Sequence, residues 1–158
     1  LVPHLDSGDI VVATAAVRWE GTSKTYIATE YPAVASYQVV NALLQAADEL
    51  GIKVHPGIII SSDAYYGGNN EVLRMFGEAN VLSIEMEASL MFTLAGIRGV
   101  RAGAICTVDG NLFKGTGKRE MKLGEKTGEL ADKVQQSIED EIKIAVRAVQ
   151  ILDARAIT

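Results

Sequence analysis

Three short clusters in the sequence gather side chains able to do chemistry. Glu85-Met86-Glu87 sets two carboxylates one residue apart, and an ionised carboxylate accepts charge-assisted hydrogen bonds. Ser61-Ser62-Asp63-Ala64-Tyr65-Tyr66 places hydroxyls and a carboxylate beside two aromatic faces, on which a flat group can rest. Thr107-Val108-Asp109-Gly110-Asn111 offers one more carboxyl for hydrogen bonding or proton transfer. Each cluster has a plainer reading as well. The glutamates fit a solvated strand end or the acidic first turn of a helix, which the macrodipole favours. The tyrosines fit half-buried strand positions, and Asp109-Gly110 fits a turn. Spacing alone leaves both readings open.

The elements that would carry these clusters alternate between strand and helix. Residues 10–17 and 24–28 are rich in Val, Ile, Thr and Tyr around the turn residues Glu20-Gly21-Thr22-Ser23, which predicts two strands. Between 34 and 50 the residues Val39, Val40, Leu43, Leu44, Ala47 and Leu50 recur at helical spacing, and Gly51 is placed to end the helix. A mostly apolar strand over 52–61, a helix over 70–79, a strand over 81–86 and a helix over 87–97 follow. The apolar run 100–108 reads as a central strand covered on both faces. Residues 109–128, glycine-rich and without periodicity, read as a long functional loop. The segment 129–155 is expected as a long helix with Ile138, Ile142, Ala145, Val149 and Ile151 or Leu152 on its buried stripe. The alternation predicts an α/β fold, three layers as α/β/α around a mixed, largely parallel sheet. In such sheets ligands gather beyond the carboxyl ends of the strands, where all three clusters fall.

Composition narrows the function classes. A chain of 158 residues, 48% of them hydrophobic, can bury a core and fits one domain. Its 15 Lys and Arg against 20 Asp and Glu give a net charge of −5 without like-charge runs, so no nucleic-acid footprint is expected. The apolar runs are too short to span a bilayer, so no membrane partner is expected either. The single Cys106 excludes an internal disulfide and fits a reducing, cytoplasmic setting. Leu1 stands where a methionine would, with no signal-peptide pattern after it. His4 and His55 have no carboxylate or cysteine at ligand spacing, so no metal is expected. Cys106 reads as a buried core thiol, and Arg18 and Arg101 as structural.

Taken in order along the chain, these motifs resemble the nucleoside phosphorylase-I family over nearly the full length. Pro3-His4 through Gly8-Asp9, Ala15-Ala16-Val17-Arg18 and Glu30-Tyr31-Pro32-Ala33-Val34-Ala35 are similar to the uridine phosphorylase branch. Ser61 to Tyr66 matches the family's aromatic segment beside the base, Ile84-Glu85-Met86-Glu87-Ala88 its ribose-binding signature, and Glu141-Ile142-Lys143-Ile144-Ala145 its last helix. Val108-Asp109-Gly110 with Phe113-Lys114 is closer to a purine-specific branch.

The resemblance implies phosphorolysis of a ribonucleoside to free base and ribose 1-phosphate, with phosphate as co-substrate and no cofactor. It implies that residues 1–158 form the C-terminal portion of a single domain whose N-terminal part, with the phosphate-binding glycines and arginines, lies outside this sequence. A chain of this sequence alone is then expected to be inactive. It further implies a homo-oligomer, a hexamer built as a trimer of dimers. By residue, Glu87 would accept from the 2′- and 3′-hydroxyls, Met86 would pack on the sugar, Tyr65 would support the base and Glu85 would lie near the base or ribose edge. Asp109 would be the catalytic residue, protonating or hydrogen-bonding N7 of a purine, which slightly favours inosine or guanosine. Were the base uracil, Asn69, Asn70 or Asn111 would be the donors. A nucleosidase or a non-catalytic nucleoside-binding protein on the same fold are the further alternatives.

Overall fold

The computed structural model describes residues 1–65, 69–116 and 128–156. The long strand β1 (Ile10–Trp19) is the spine of the sheet. It pairs in parallel with β3 (Val54–Ser62), and β3 in parallel with the short β4 (Ile84–Glu85). On its other side β1 pairs antiparallel with β2 (Ala33–Val34) and with β5 (Ala104–Thr107). The sheet is thus mixed, with two parallel and two antiparallel pairings among the described strands. A register shift at Ala13/Ala15 separates the stretch of β1 that carries β5 from the stretch that carries β2. Such shifts bend a strand and raise its local twist.

Helices cover both faces, because alternate residues of β1 point opposite ways. Ile10 and Val12 pack against Ala42, Leu43, Ala46 and Ala47 of α1 (Tyr37–Glu49) and against Ile144, Ala148 and Ile151 of α4 (Gly128–Ala156). Val11, Ala13 and Ala16 join Ile59, Ala88 and Phe92, so α3 (Ala88–Arg98) lies on the opposite face. The helix α2 (Asn70–Glu78) puts Leu73 and Phe76 against Val17, Trp19 and Ile60. Gly51 (φ +67) and Gly99 (φ +66) end α1 and α3 in the left-handed region that glycine adopts without steric cost. No helix among the described residues is long and apolar enough to cross a membrane.

Four expectations change. Residues 24–28 are no strand: Ser23–Thr25 is a 3-10 turn, and the segment wraps around the Arg18 guanidinium instead of extending. The 81–86 strand shrinks to Ile84–Glu85. The 100–108 strand is shorter, Ala104–Thr107, and pairs with β1 alone among the described strands, so it is not central. Both its faces are nonetheless covered, Ala104 by one core and Ile105 by the other, which is what the apolar run reports. Finally, α4 is rotated from the predicted phase. Val134, Ile144, Ala148 and Ile151 are buried, while Ile138, Ile142 and Val149 are exposed. The helix carries two apolar stripes, and the sheet takes the one in phase with Ile144. Of the predicted 109–128 loop, residues 109–116 hold a 3-10 turn, Leu112–Lys114, and 117–127 lie outside the described residues.

Candidate active site

The carboxyl ends of β3, β4 and β5 converge on one pocket of about 340 Å³, within the usual range for small-molecule sites. All five singled-out residues line it: Tyr65, Glu85, Met86, Glu87 and Asp109. With them stand Ser62, Ala64, Thr107 and Gly110, an apolar floor of Leu73, Ile84 and Leu112, and Cys106. The apolar floor was not foreseen from sequence. Its residues come from three separate elements, and only the fold joins them.

The segment after β3 is tied down by its own polar groups. Asp63 Oδ2 accepts from the Gly21 amide at 2.7 Å, joining this segment to the turn after β1. Tyr65 is 40% exposed, a ring standing at the pocket's edge, and Tyr66 lies outside the described residues. Asn69 caps α2, its Oδ1 accepting from the Glu71 amide at 2.9 Å.

At the end of β4 the two glutamates differ. Glu85 Oε1 accepts from the Ser61 hydroxyl, and Oε2 accepts from the amides of Glu87 and Ala88, each at 2.7 Å. Both oxygens are therefore engaged by the protein. Glu87 is exposed, and its carboxylate makes no hydrogen bond among the described residues. Met86, 40% exposed, presents an adaptable apolar side chain between them.

Asp109 sits on a loop pinned on both sides. Val108 exchanges backbone hydrogen bonds with Gly8 and Asp9, at 2.7 and 2.8 Å. Asn111 is buried; its Nδ2 donates to the Val2 and Leu5 carbonyls at 2.8 and 2.7 Å, and its Oδ1 accepts from the Phe113 amide. That side chain is committed to the N-terminal segment, which removes Asn111 as a donor to a base. Thr107 Oγ1 donates to Glu141 Oε2 at 2.6 Å, fixing the end of β5 to α4.

Cys106 is half-buried on the pocket wall, not sealed in a core. Burial, with the nearby Glu85, Glu141 and Glu87 carboxylates, pushes its thiol up to about 12. Arg18 is structural: buried, it donates from Nε to Ser23 Oγ and from its two terminal nitrogens to the carbonyls of Ile27, Ala28, Thr29 and Tyr31.

Residues 1–150 match the family model of the phosphorylase superfamily. The chain is 44% identical over 152 residues to a guanosine phosphorylase of Halorubrum lacusprofundi, covering 96% of this chain and 61% of that protein. It is 41% identical over 138 residues to a uridine phosphorylase of Thermococcus kodakarensis, covering 77% of this chain and 50% of that one. The solved structure of a P. knowlesi homolog of P. falciparum PNP superposes with a TM-score of 0.73 at 30% identity, covering 94% of this chain and 58% of that one. The chain thus spans about half to three fifths of the length of the relatives it matches. Fold and similarity agree, and the chain belongs to the phosphorylase superfamily.

Proposed function

We propose that this chain forms the nucleoside-binding part of a nucleoside phosphorylase, and that the protein cleaves a ribonucleoside with phosphate to free base and ribose 1-phosphate. The observation that carries this reading is the meeting of Glu87, Met86, Tyr65 and Asp109 on one pocket. In the reaction a phosphate oxygen bonds to C1′ as the bond from C1′ to the base nitrogen breaks, and the base leaves with the electron pair. The sugar must be held while positive charge develops on it. Glu87 suits that task, since an ionised carboxylate accepting from two ribose hydroxyls gains roughly 1.5–3 kcal/mol per charged contact. Met86 packs on the sugar and the Tyr65 ring supports the base. Asp109, on its pinned loop, gives a proton or a strong hydrogen bond to a purine N7, help typically worth about 10²–10⁴-fold.

A purine is favoured by Asp109 and by the likeness to the guanosine phosphorylase. Uridine is the second reading, supported by the likeness to uridine phosphorylases; of Asn69, Asn70 and Asn111, Asn70 is then the one whose side chain caps or braces no turn among the described residues. A homo-oligomer, a hexamer of three dimers, and a cytoplasmic setting belong to the same proposal. Release of base from inosine, guanosine and uridine by the full-length protein, with and without phosphate, tests it. Phosphate-dependent release from inosine or guanosine is expected; release without phosphate would make the protein a nucleosidase, and none from any substrate would leave a binding protein. Glu87→Ala should lower kcat/KM by at least about 100-fold, and near-normal turnover by that variant would remove Glu87 as the ribose anchor.

A further inference from the structure

We infer that Glu85 is a positioning residue: with Ser61 it caps α3 in place of Glu87, and so leaves the Glu87 carboxylate to the substrate. The first amides of an α-helix have no partner within the helix and need one from outside. The residue at the N-cap ordinarily supplies it with its own side chain. Here Glu87 holds the N-cap position (φ −131, ψ −30) and makes no such bond. Three successive donors at this end are satisfied from elsewhere. Glu85 Oε2 takes the amides of Glu87 and Ala88, and the Ser61 hydroxyl oxygen takes the Ser89 amide at 2.8 Å. Ser61 in turn donates its one hydroxyl proton to Glu85 Oε1, so a single hydroxyl serves as both donor and acceptor. A carboxylate at this end also complements the helix dipole.

The pair is backed from inside the fold. Ser61 and Ser89 are fully buried, and the Ser89 hydroxyl donates at 3.0 Å to Glu20 Oε1, whose carboxylate also accepts from the Ser23 amide and hydroxyl. Glu85 therefore lines the pocket with three of its carboxylate's roughly four acceptor sites already taken by the protein, and it fixes the backbone from which Glu87 projects.

This inference rests on the proposed reading of Glu87 for its kinetic test, but its structural test does not. In the full-length protein, amide hydrogen exchange at Glu87, Ala88 and Ser89 should speed up in Ser61→Ala and in Glu85→Ala, while the centre of α3 stays protected. Unchanged exchange at these amides in folded variants overturns the inference whatever the protein's activity. For turnover, Ser61→Ala should cost about 10-fold in kcat/KM on a ribonucleoside and clearly less on the 2′-deoxyribonucleoside, and the loss should vanish in a Glu87→Ala background. Equal losses on both substrates, or an undiminished loss in that background, overturn it. Glu85→Gln keeps an oxygen for the two amides, while its NH₂ can only donate to the Ser61 oxygen, whose proton then loses its acceptor; it leaves Ser61 in place and so guards against a misfolded Ser61 variant. Because it keeps the two amide bonds it should lose clearly less activity than Glu85→Ala, and a loss as large as that of Glu85→Ala would make Glu85 a substrate contact.

Discussion

Cys106 shows how a neighbourhood sets a side chain's chemistry. A thiol in a pocket invites the reading of a nucleophile, yet the thiolate is the reactive form, and here burial and three surrounding carboxylates oppose it. With the pKa raised from 9.0 to about 12, the thiolate fraction at pH 8 falls from about a tenth to about one in 10⁴. Alkylation by iodoacetamide at pH 8 is expected to be at least about 30-fold slower than that of free cysteine, part of the loss in thiolate being offset by the higher nucleophilicity of the more basic thiolate. The rate should still be climbing above pH 10. A rate that levels off by pH 9.5 would mean that burial, with the Glu85, Glu141 and Glu87 charges, does not hold this thiol protonated. The same carboxylates show why type and spacing did not separate Glu85 from Glu87. Two residues apart on a strand end, they look equivalent, and only the start of α3 distinguishes the one that is consumed by amides from the one that is not.

Among the elements, the segment between β1 and β2 departs most from its propensity. Its Thr, Tyr and Ile residues favour a strand, but Arg18 collects four carbonyls and a hydroxyl within it, and a fork with five donors organises a turn that propensity cannot. Arg18→Ala should destabilise the protein by about 3 kcal/mol, since it takes the donor from four part-buried carbonyls and the buried Ser23 hydroxyl, and Arg18→Lys should recover little, having no planar fork. Denaturant midpoints of the two variants measure this, and a loss below about 1 kcal/mol would show that the segment holds its own shape. Elements with a strong period and clear stops were legible: α1 with its Gly51 end, α2, α3 and β3 fall within a few residues of expectation. The chemistry-bearing clusters were legible too, because polar residues at the ends of apolar strands mark where a sheet opens to a ligand. What was hidden depends on partners distant in sequence. β4 is short because only Ile84 and Glu85 meet β3. The face of α4 is chosen by Ile10, Val12 and α1, so a helix with apolar residues on two stripes gave no means of deciding between Ile142 and Ile144. Asn111 looked like a base donor until the N-terminal segment was seen to occupy it.

For the whole molecule, the pocket's charge is the remaining constraint. Glu85, Glu87 and Asp109 line it, and no Arg, Lys or His does among the described residues. That lining suits hydroxyls and a base, which bring donors, and it repels phosphate, which brings two negative charges and needs cations or convergent amides. On the proposed reading the cations that hold phosphate come from outside this lining; the chain spans 61% and 50% of the guanosine and uridine phosphorylases it resembles. Two outcomes are expected. The 158-residue chain by itself should release no base from inosine, guanosine or uridine at any phosphate concentration, and phosphate should not raise its affinity for a nucleoside in calorimetry. The full-length protein should release base in the presence of phosphate, because phosphate bound beside the sugar stabilises the charge developing at C1′. Phosphate-dependent turnover by the short chain alone would instead place a phosphate site within these residues, and the search for it would begin at the arginines that the pocket lining does not include, Arg74 and Arg101 first.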